Sequence, residues 1–275
     1  ELTRYLHCPV VTHVHELEYA LNLMGAGLAS VLVRSSHYIA ASCAVRDNLV
    51  AYHSVAPEKI EVIHECIETQ HSLDVASARK QTRAALGLPP NAFLVGGAGP
   101  LEWRKGTDLF VQLAQHLAGN KDEIPLYFLW VGGDLKSRYA TEVRYDLAKW
   151  GLGERVHFVG EVVNPLDYFA ALDVFALTSR EDPFPLVCLE AASLSVPIVA
   201  FANAGGMPEF IEDDCGCVVP YADTYAMADA ISELAKNPKK QMQLGTRAQQ
   251  KVRERHDIRV TAPQIKSLLE RLMKP

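Results

Sequence analysis

The 275-residue sequence contains no apolar run approaching the ~20 residues a membrane-spanning helix requires. No basic stretch followed by an apolar core opens it, so neither a membrane span nor a secretory leader is expected. Positive charge is not in excess. Lys and Arg number 27 against 33 Asp and Glu, and the net charge of −6 argues against nucleic acid as the main partner. Paired cysteine spacing is also missing: Cys8, Cys43, Cys66, Cys188, Cys215 and Cys217 are scattered. Only one residue separates Cys215 from Cys217, which is too few for a zinc knuckle. Reduced thiols in a cytoplasmic protein are expected, with attachment to a membrane surface as the alternative. Internal repeats and low-complexity tracts are absent. What is present is a hydrophobic content of 49%, enough for a real core in one large domain or two ordinary ones.

Apolar segments with two different periods alternate along the chain. His7 to His15 reads as a buried strand, followed by a helix over 17–34, a strand over 38–41, a helix over 42–52 capped by Ser42, and a strand over 60–64. The stretch from Glu65 to Ala76 has no period and reads as a linker. From 77 the alternation resumes, with strands at 93–98, 126–131, 156–159, 174–177, 197–201 and 216–219 and helices between them. Two amphipathic helices and an apolar-striped tail follow. Alternation of this kind predicts parallel sheets in an α/β protein. The boundaries expected are 1–70 for an N-terminal domain, 77–255 for a C-terminal doubly wound domain, and 256–275 for a helix. That helix either crosses back to the first domain or docks on the second.

The segment Thr178 to Pro208 carries the chemistry. A charged turn, Ser179-Arg180-Glu181-Asp182-Pro183-Phe184-Pro185, delivers the chain into an apolar helix near Leu186. Pro185 suits the helix start, where its missing N–H has no intrahelical carbonyl to reach. The N–H groups from Leu186 to Cys188 then point outward at the positive end of the helix dipole, an arrangement suited to an anion. Asp182 precedes the helix and Glu190 lies within it. A carboxylate beside an anion pocket is costly unless hydroxyls donate to it, so the pair suggests a sugar joined to a phosphate. The plainer alternative is a dipole charge at Asp182 and a Glu190 bonded to backbone. Upstream, Gly97 to Gly106 forms a glycine-rich turn after the first strand of the second domain, and Lys105 can reach a phosphate oxygen from it.

These residues resemble the signature of group 1 (family 4) glycosyltransferases, retaining enzymes of GT-B type. The matching parts are an acid, seven positions and a Glu (Asp182 to Glu190), then Ala191-Ala192, the Pro197–Ala200 strand, and Gly205-Gly206-Met207-Pro208-Glu209. The first acid is usually Glu, so either Asp182, which is in register, or its neighbour Glu181 serves. The usual Phe-Gly step is Phe184-Pro185 here, which removes one donor. Lys105 is in register with the family's phosphate-binding Lys, whereas its Arg falls at Pro100. Either Arg104 substitutes or one contact is lost. His15-Glu16 resembles the strand end of the N-terminal, acceptor-side domain, of which the first half is missing. The resemblance therefore implies an excised fragment or a naturally short protein. Its exposed sheet edge would invite pairing with a second copy.

The resemblance implies a GT-B-like α/β fold, with a doubly wound Rossmann-type sheet and a partial N-terminal Rossmann-type domain. It further implies a nucleotide-diphosphate sugar as donor and a saccharide, lipid or small molecule as acceptor. Asp182, Glu181 and His15 are the catalytic candidates. Gly99, Arg104, Lys105, Gly160, Val162, Phe184, Leu186, Val187 and Glu190 are the donor-binding ones. No cofactor is expected. Nor is a metal, because His13-x-His15 has the spacing of a ligand pair but no third ligand is visible beside it. Two other functions remain open, a sugar-nucleotide epimerase and a non-catalytic donor-binding module.

Overall fold

A computed structural model describes residues 8–70, 72–118 and 124–273. The first sheet is parallel, with β1 (Val11–Val14), β2 (His37–Ala40) and β3 (Ile60–Val62) in that order. Between its strands lie α1 (Glu18–Leu23), α2 (Ala26–Arg34) and α3 (Cys43–His53). The single helix expected over 17–34 is thus two, because Gly25 adopts a φ of 52°. Residues other than glycine resist that left-handed conformation, and the chain turns there instead of continuing. β1 is shorter than the strand expected over 7–15: His15 lies beyond its end and His7 falls outside the described residues.

The second sheet is also parallel and has six strands. Its elements run α4 (Val75–Ala85), β4 (Phe93–Ala98), α5 (Thr107–Ala118), β5 (Leu126–Val131), α6 (Arg138–Lys149), β6 (Val156–Gly160), α7 (Pro165–Phe169), β7 (Val174–Leu177), α8 (Leu186–Ser193), β8 (Ile198–Phe201), α9 (Met207–Ile211) and β9 (Gly216–Val219). Helices α10 (Thr224–Lys236), α11 (Pro238–Arg255) and α12 (Ile258–Leu272) follow. The spatial order β6-β5-β4-β7-β8-β9 reverses direction between β4 and β7. In a doubly wound sheet the crevice beyond the strand ends opens at that reversal. β4, β7 and β8 are buried along their whole length because helices cover both faces, which is why they read as unbroken apolar runs. Phe110 packs edge-on to Trp130 on one face, ring centres 5.1 Å apart, and Phe169 packs on Phe175 on the other, at 5.9 Å. Each such ring contributes about 1.5–3 kcal/mol by burial.

The C-terminal segment joins the two sheets. On α12, Leu268 packs in one cluster with Ile39 of β2 and Ile63, and Arg271 pairs with Glu61 of β3. The Ile67 N–H donates to His256 O (2.9 Å), and the Ile258 N–H donates to Ile67 O (3.0 Å). The stretch expected as a free linker is therefore pinned at Ile67. A segment without periodicity still holds position when a distant strand-like partner satisfies its backbone.

Candidate active site

The turns that follow β4 and β7 meet at the reversal point. The Arg180 N–H donates to Arg104 O (2.8 Å), and the Arg180 guanidinium donates to Trp103 O (2.7 Å) and to both Asp108 oxygens (2.8 and 2.7 Å). Gly106 makes this approach possible: it has a φ of 65°, and a Cβ there would lie 1.9 Å from Thr178 O. With the turns in register, Lys105 Nζ donates to Asp182 Oδ2 at 2.6 Å, and the Ser179 hydroxyl donates to the same oxygen at 3.1 Å. Asp182 is only 5% exposed. Its carboxylate is thus the buried anchor of Lys105 and does not stand open to a ligand, which departs from the catalytic role expected of it.

Pro185 is the N-cap of α8 in extended conformation, one step earlier than the first helical turn. The Cys188 N–H already donates to Pro185 O (3.1 Å), so the outward N–H groups are those of Leu186 and Val187 and not the three expected. Behind them lies a cavity of about 510 Å³ lined by Gly99, Gly132, Glu161, Val162, Val187 and Glu190. Burial raises the Glu190 carboxyl above its ordinary value. Gly160 lines an adjoining hollow that shares Gly133 and Glu161 with this cavity, and its carbonyl accepts the Gly132 N–H at 2.8 Å. Gly99, Val162, Val187 and Glu190 are therefore brought together as expected, and Leu186 lies exposed at the head of α8.

Two expected donor contacts lie elsewhere. The Phe184 ring is buried between His64 (4.9 Å) and His256 (5.3 Å), held by apolar packing across the two sheets. Arg104 lies 3.3 Å from Glu102 and 3.9 Å from Glu16, and donates to Glu181 O at 3.4 Å. Those acidic neighbours draw its guanidinium toward the first sheet and away from the cavity.

A second cavity, of about 780 Å³, separates the two sheets, and Glu18, Asp47, Glu181, Glu209, Tyr52 and Tyr221 are among its walls. Both Glu181 oxygens accept the Tyr19 N–H (3.1 and 3.0 Å). Glu209 reaches across to the start of α3, accepting from the N–H groups of Cys43 (2.9 Å) and Ala44 (3.0 Å) and pairing with His64 Nε2 (2.8 Å). Burial opposes ionisation of Glu209, but these bonds outweigh it and hold the carboxyl below its usual range. His64 was not among the expected site residues. Its only signal was position, two residues past the end of β3 in a parallel sheet.

His15 lies just beyond the end of β1 and is exposed. Its Nδ1 pairs with Glu65 Oε1, and that bond raises the imidazole above its ordinary value. The His13 ring lies 3.8 Å from it, and burial lowers His13. No helix among the described residues is long and apolar enough to cross a membrane.

Comparison with known proteins places this geometry. The family described as Glycosyl transferases group 1 matches residues 78–251. A D-inositol 3-phosphate glycosyltransferase of Mycobacteroides abscessus is 31% identical over 219 residues, 77% of this chain and 47% of that protein. The D-inositol 3-phosphate glycosyltransferase 1 of Catenulispora acidiphila is 28% identical over 222 residues, 78% of this chain and 52% of that one. The chain thus spans about half the length of these relatives. Among solved structures, Anabaena Alr3699/HepE in complex with UDP superposes with a TM-score of 0.81 at 23% identity, covering 95% of this chain and 72% of that one. The fold is accordingly the expected GT-B-like α/β arrangement.

Proposed function

Because the chain belongs to the group 1 glycosyl transferases, we propose that it transfers a sugar from a nucleotide-diphosphate donor to a hydroxyl-bearing acceptor with retention at the anomeric carbon. The observation that carries this reading is the shared cavity at the β4/β7 reversal, where Gly99, Val187 and the half-buried Glu190 line one wall. In it the donor's ribose hydroxyls donate to Glu190 and the base rests against Val162. The diphosphate meets the Leu186 and Val187 N–H groups and the Lys105 ammonium. Negative charge grows on the diphosphate as the glycosidic bond breaks, so these fixed dipoles and the cation favour the transition state over the bound ground state. Lys105 must exchange its Asp182 partner for a phosphate oxygen or share itself between them. The transferred sugar then lies toward the 780 Å³ cavity, within reach of Glu181 and His15, and the acceptor approaches from the first sheet.

The reading is tested by calorimetry with uridine, guanosine and adenosine diphosphates, followed by turnover assays with the matching sugar nucleotides. The relative in complex with UDP makes uridine the first base to try. One diphosphate should bind, and Glu190→Gln should weaken it about tenfold, the worth of one charge-assisted bond of about 1.5 kcal/mol. Nucleotide affinity unchanged in Glu190→Gln removes the cavity from the donor site. Binding without transfer or hydrolysis would favour a donor-binding module, and a changed sugar without any acceptor would favour an epimerase.

A further inference from the structure

The pair at His13 and His15 acquires in the structure the third group that it lacks in the sequence. Both side chains project from the same side of the β1 end, two residues apart, as strand geometry requires. Glu65, in the turn that leaves β3, is brought against them from 50 residues away. One ligand atom from each of the three lies within 4.8 Å of the other two. A tetrahedral zinc ion with bonds of about 2.0–2.1 Å spaces its ligand atoms about 3.3 Å apart, so small side-chain adjustments, with His15 and Glu65 giving up their direct bond, close the set. The Nε2 of His13 is buried and has no hydrogen-bond partner in the protein, which is costly for an imidazole nitrogen unless a ligand meets it.

We propose that His13, His15 and Glu65 form a binding site for a zinc-class divalent cation, with the fourth position open to water or a ligand hydroxyl. Two imidazoles and one carboxylate suit zinc and its borderline neighbours, whereas magnesium prefers an all-oxygen octahedron. The neighbouring cluster of Cys43, His64 and Glu209 also brings three ligand types together. There, however, the Glu209 oxygens already accept two backbone N–H groups and pair with His64, so no atom is left waiting. A bound cation would tie the end of β1 to the turn after β3.

The test is a zinc titration of the whole chain after chelator treatment, read by metal stoichiometry, by the visible spectrum of the cobalt-loaded protein, and by thermal unfolding. One zinc per chain, a tetrahedral cobalt spectrum and a zinc-dependent rise in unfolding temperature are expected, because a ligand bound only by the native state raises its stability. His13→Gln and Glu65→Gln should each lower zinc affinity at least about a hundredfold, more than loss of an outer-shell partner does, and abolish the thermal shift. Magnesium should produce neither effect. If one variant fails to fold without metal, the other carries the test. A chain that takes up no zinc overturns the proposal and leaves His15 and Glu65 as a simple ion pair. Zinc binding that survives in His13→Gln but is lost in Cys43→Ser overturns it equally, by moving the cation to the other cluster.

Discussion

The two cavities are made of different material. The 510 Å³ hollow on the six-stranded sheet is built largely of glycines, small apolar residues and main chain drawn from one sheet, with Glu190 as its buried acid. The 780 Å³ cavity is walled by carboxylates from both halves, and its cross-links join residues 145 to 166 apart in sequence, Glu209 with His64 and Glu209 with Cys43. A site made within one sheet persists as long as that sheet is folded. A site made between sheets exists only while they stay docked. Donor recognition should therefore be robust and the reaction centre conditional, and three perturbations separate them.

The largest effect is expected at Gly106. Alanine there must take a left-handed backbone and bring its Cβ within 1.9 Å of Thr178 O. Gly106→Ala should cost about 4 kcal/mol or more, with nucleotide binding lost alongside stability. Chemical denaturation checks this, and a cost under about 1 kcal/mol would mean the two turns are not held in the register described.

Acid attacks the contact between the two sheets. His256 is buried against Phe184, Phe210 and His64, and its Nδ1 pairs with Glu65 O at 3.0 Å. Burial, reinforced by the nearby His64, Arg255 and Lys251 charges, pulls it from the ordinary 6.5 down to about 4. The unfolded chain therefore binds more protons between those values, and stability rises with pH across that window. The contribution of about 3 kcal/mol is complete above pH 6.5 and is lost as pH falls toward 4. Unfolding measured from pH 7 to 4.5 should show this slope in the native chain and lose it in His256→Phe. An unchanged slope in the variant would assign it to other groups.

The smallest effect belongs to the Lys105 and Asp182 pair, which sits on the boundary between the two cavities. Lys105→Met strands a buried carboxylate and should cost about 2 kcal/mol. Adding Asp182→Asn should recover most of that, while nucleotide-diphosphate affinity stays at least about tenfold down. If the double variant recovers affinity too, Lys105 serves structure alone.

Much of the 510 Å³ cavity was legible in the chain. Local signals suffice where a site is built from turns beyond consecutive strands. The Gly97–Gly106 turn and the helix opening near Leu186 carry their own glycine, proline and apolar periodicity, so Gly99, Val187 and Glu190 could be placed before any coordinates. The partner of Asp182 could not. Its spacing to Glu190 is the same whether it faces a sugar or a lysine, and only the packing of two turns 77 residues apart brought Lys105 onto it. Arg104 and Phe184 lie elsewhere for the same reason, because Glu16 on one side and His64 and His256 on the other, all distant in sequence, hold them at the contact between the two sheets. The helix expected over 17–34 failed locally instead: Gly25 in an otherwise apolar run reads as tolerable until its φ is known.

By itself the sequence determined the α/β alternation, the parallel sheets and the helix start near Leu186, because each depends on periodicity or backbone chemistry within a few residues. Tertiary structure alone decided that Asp182 is buried, that Glu209 reaches the start of α3, and that Glu65 completes a triad with His13 and His15. Those are contacts between side chains far apart in the chain. Their geometry follows from how the two sheets dock, and no local pattern records it.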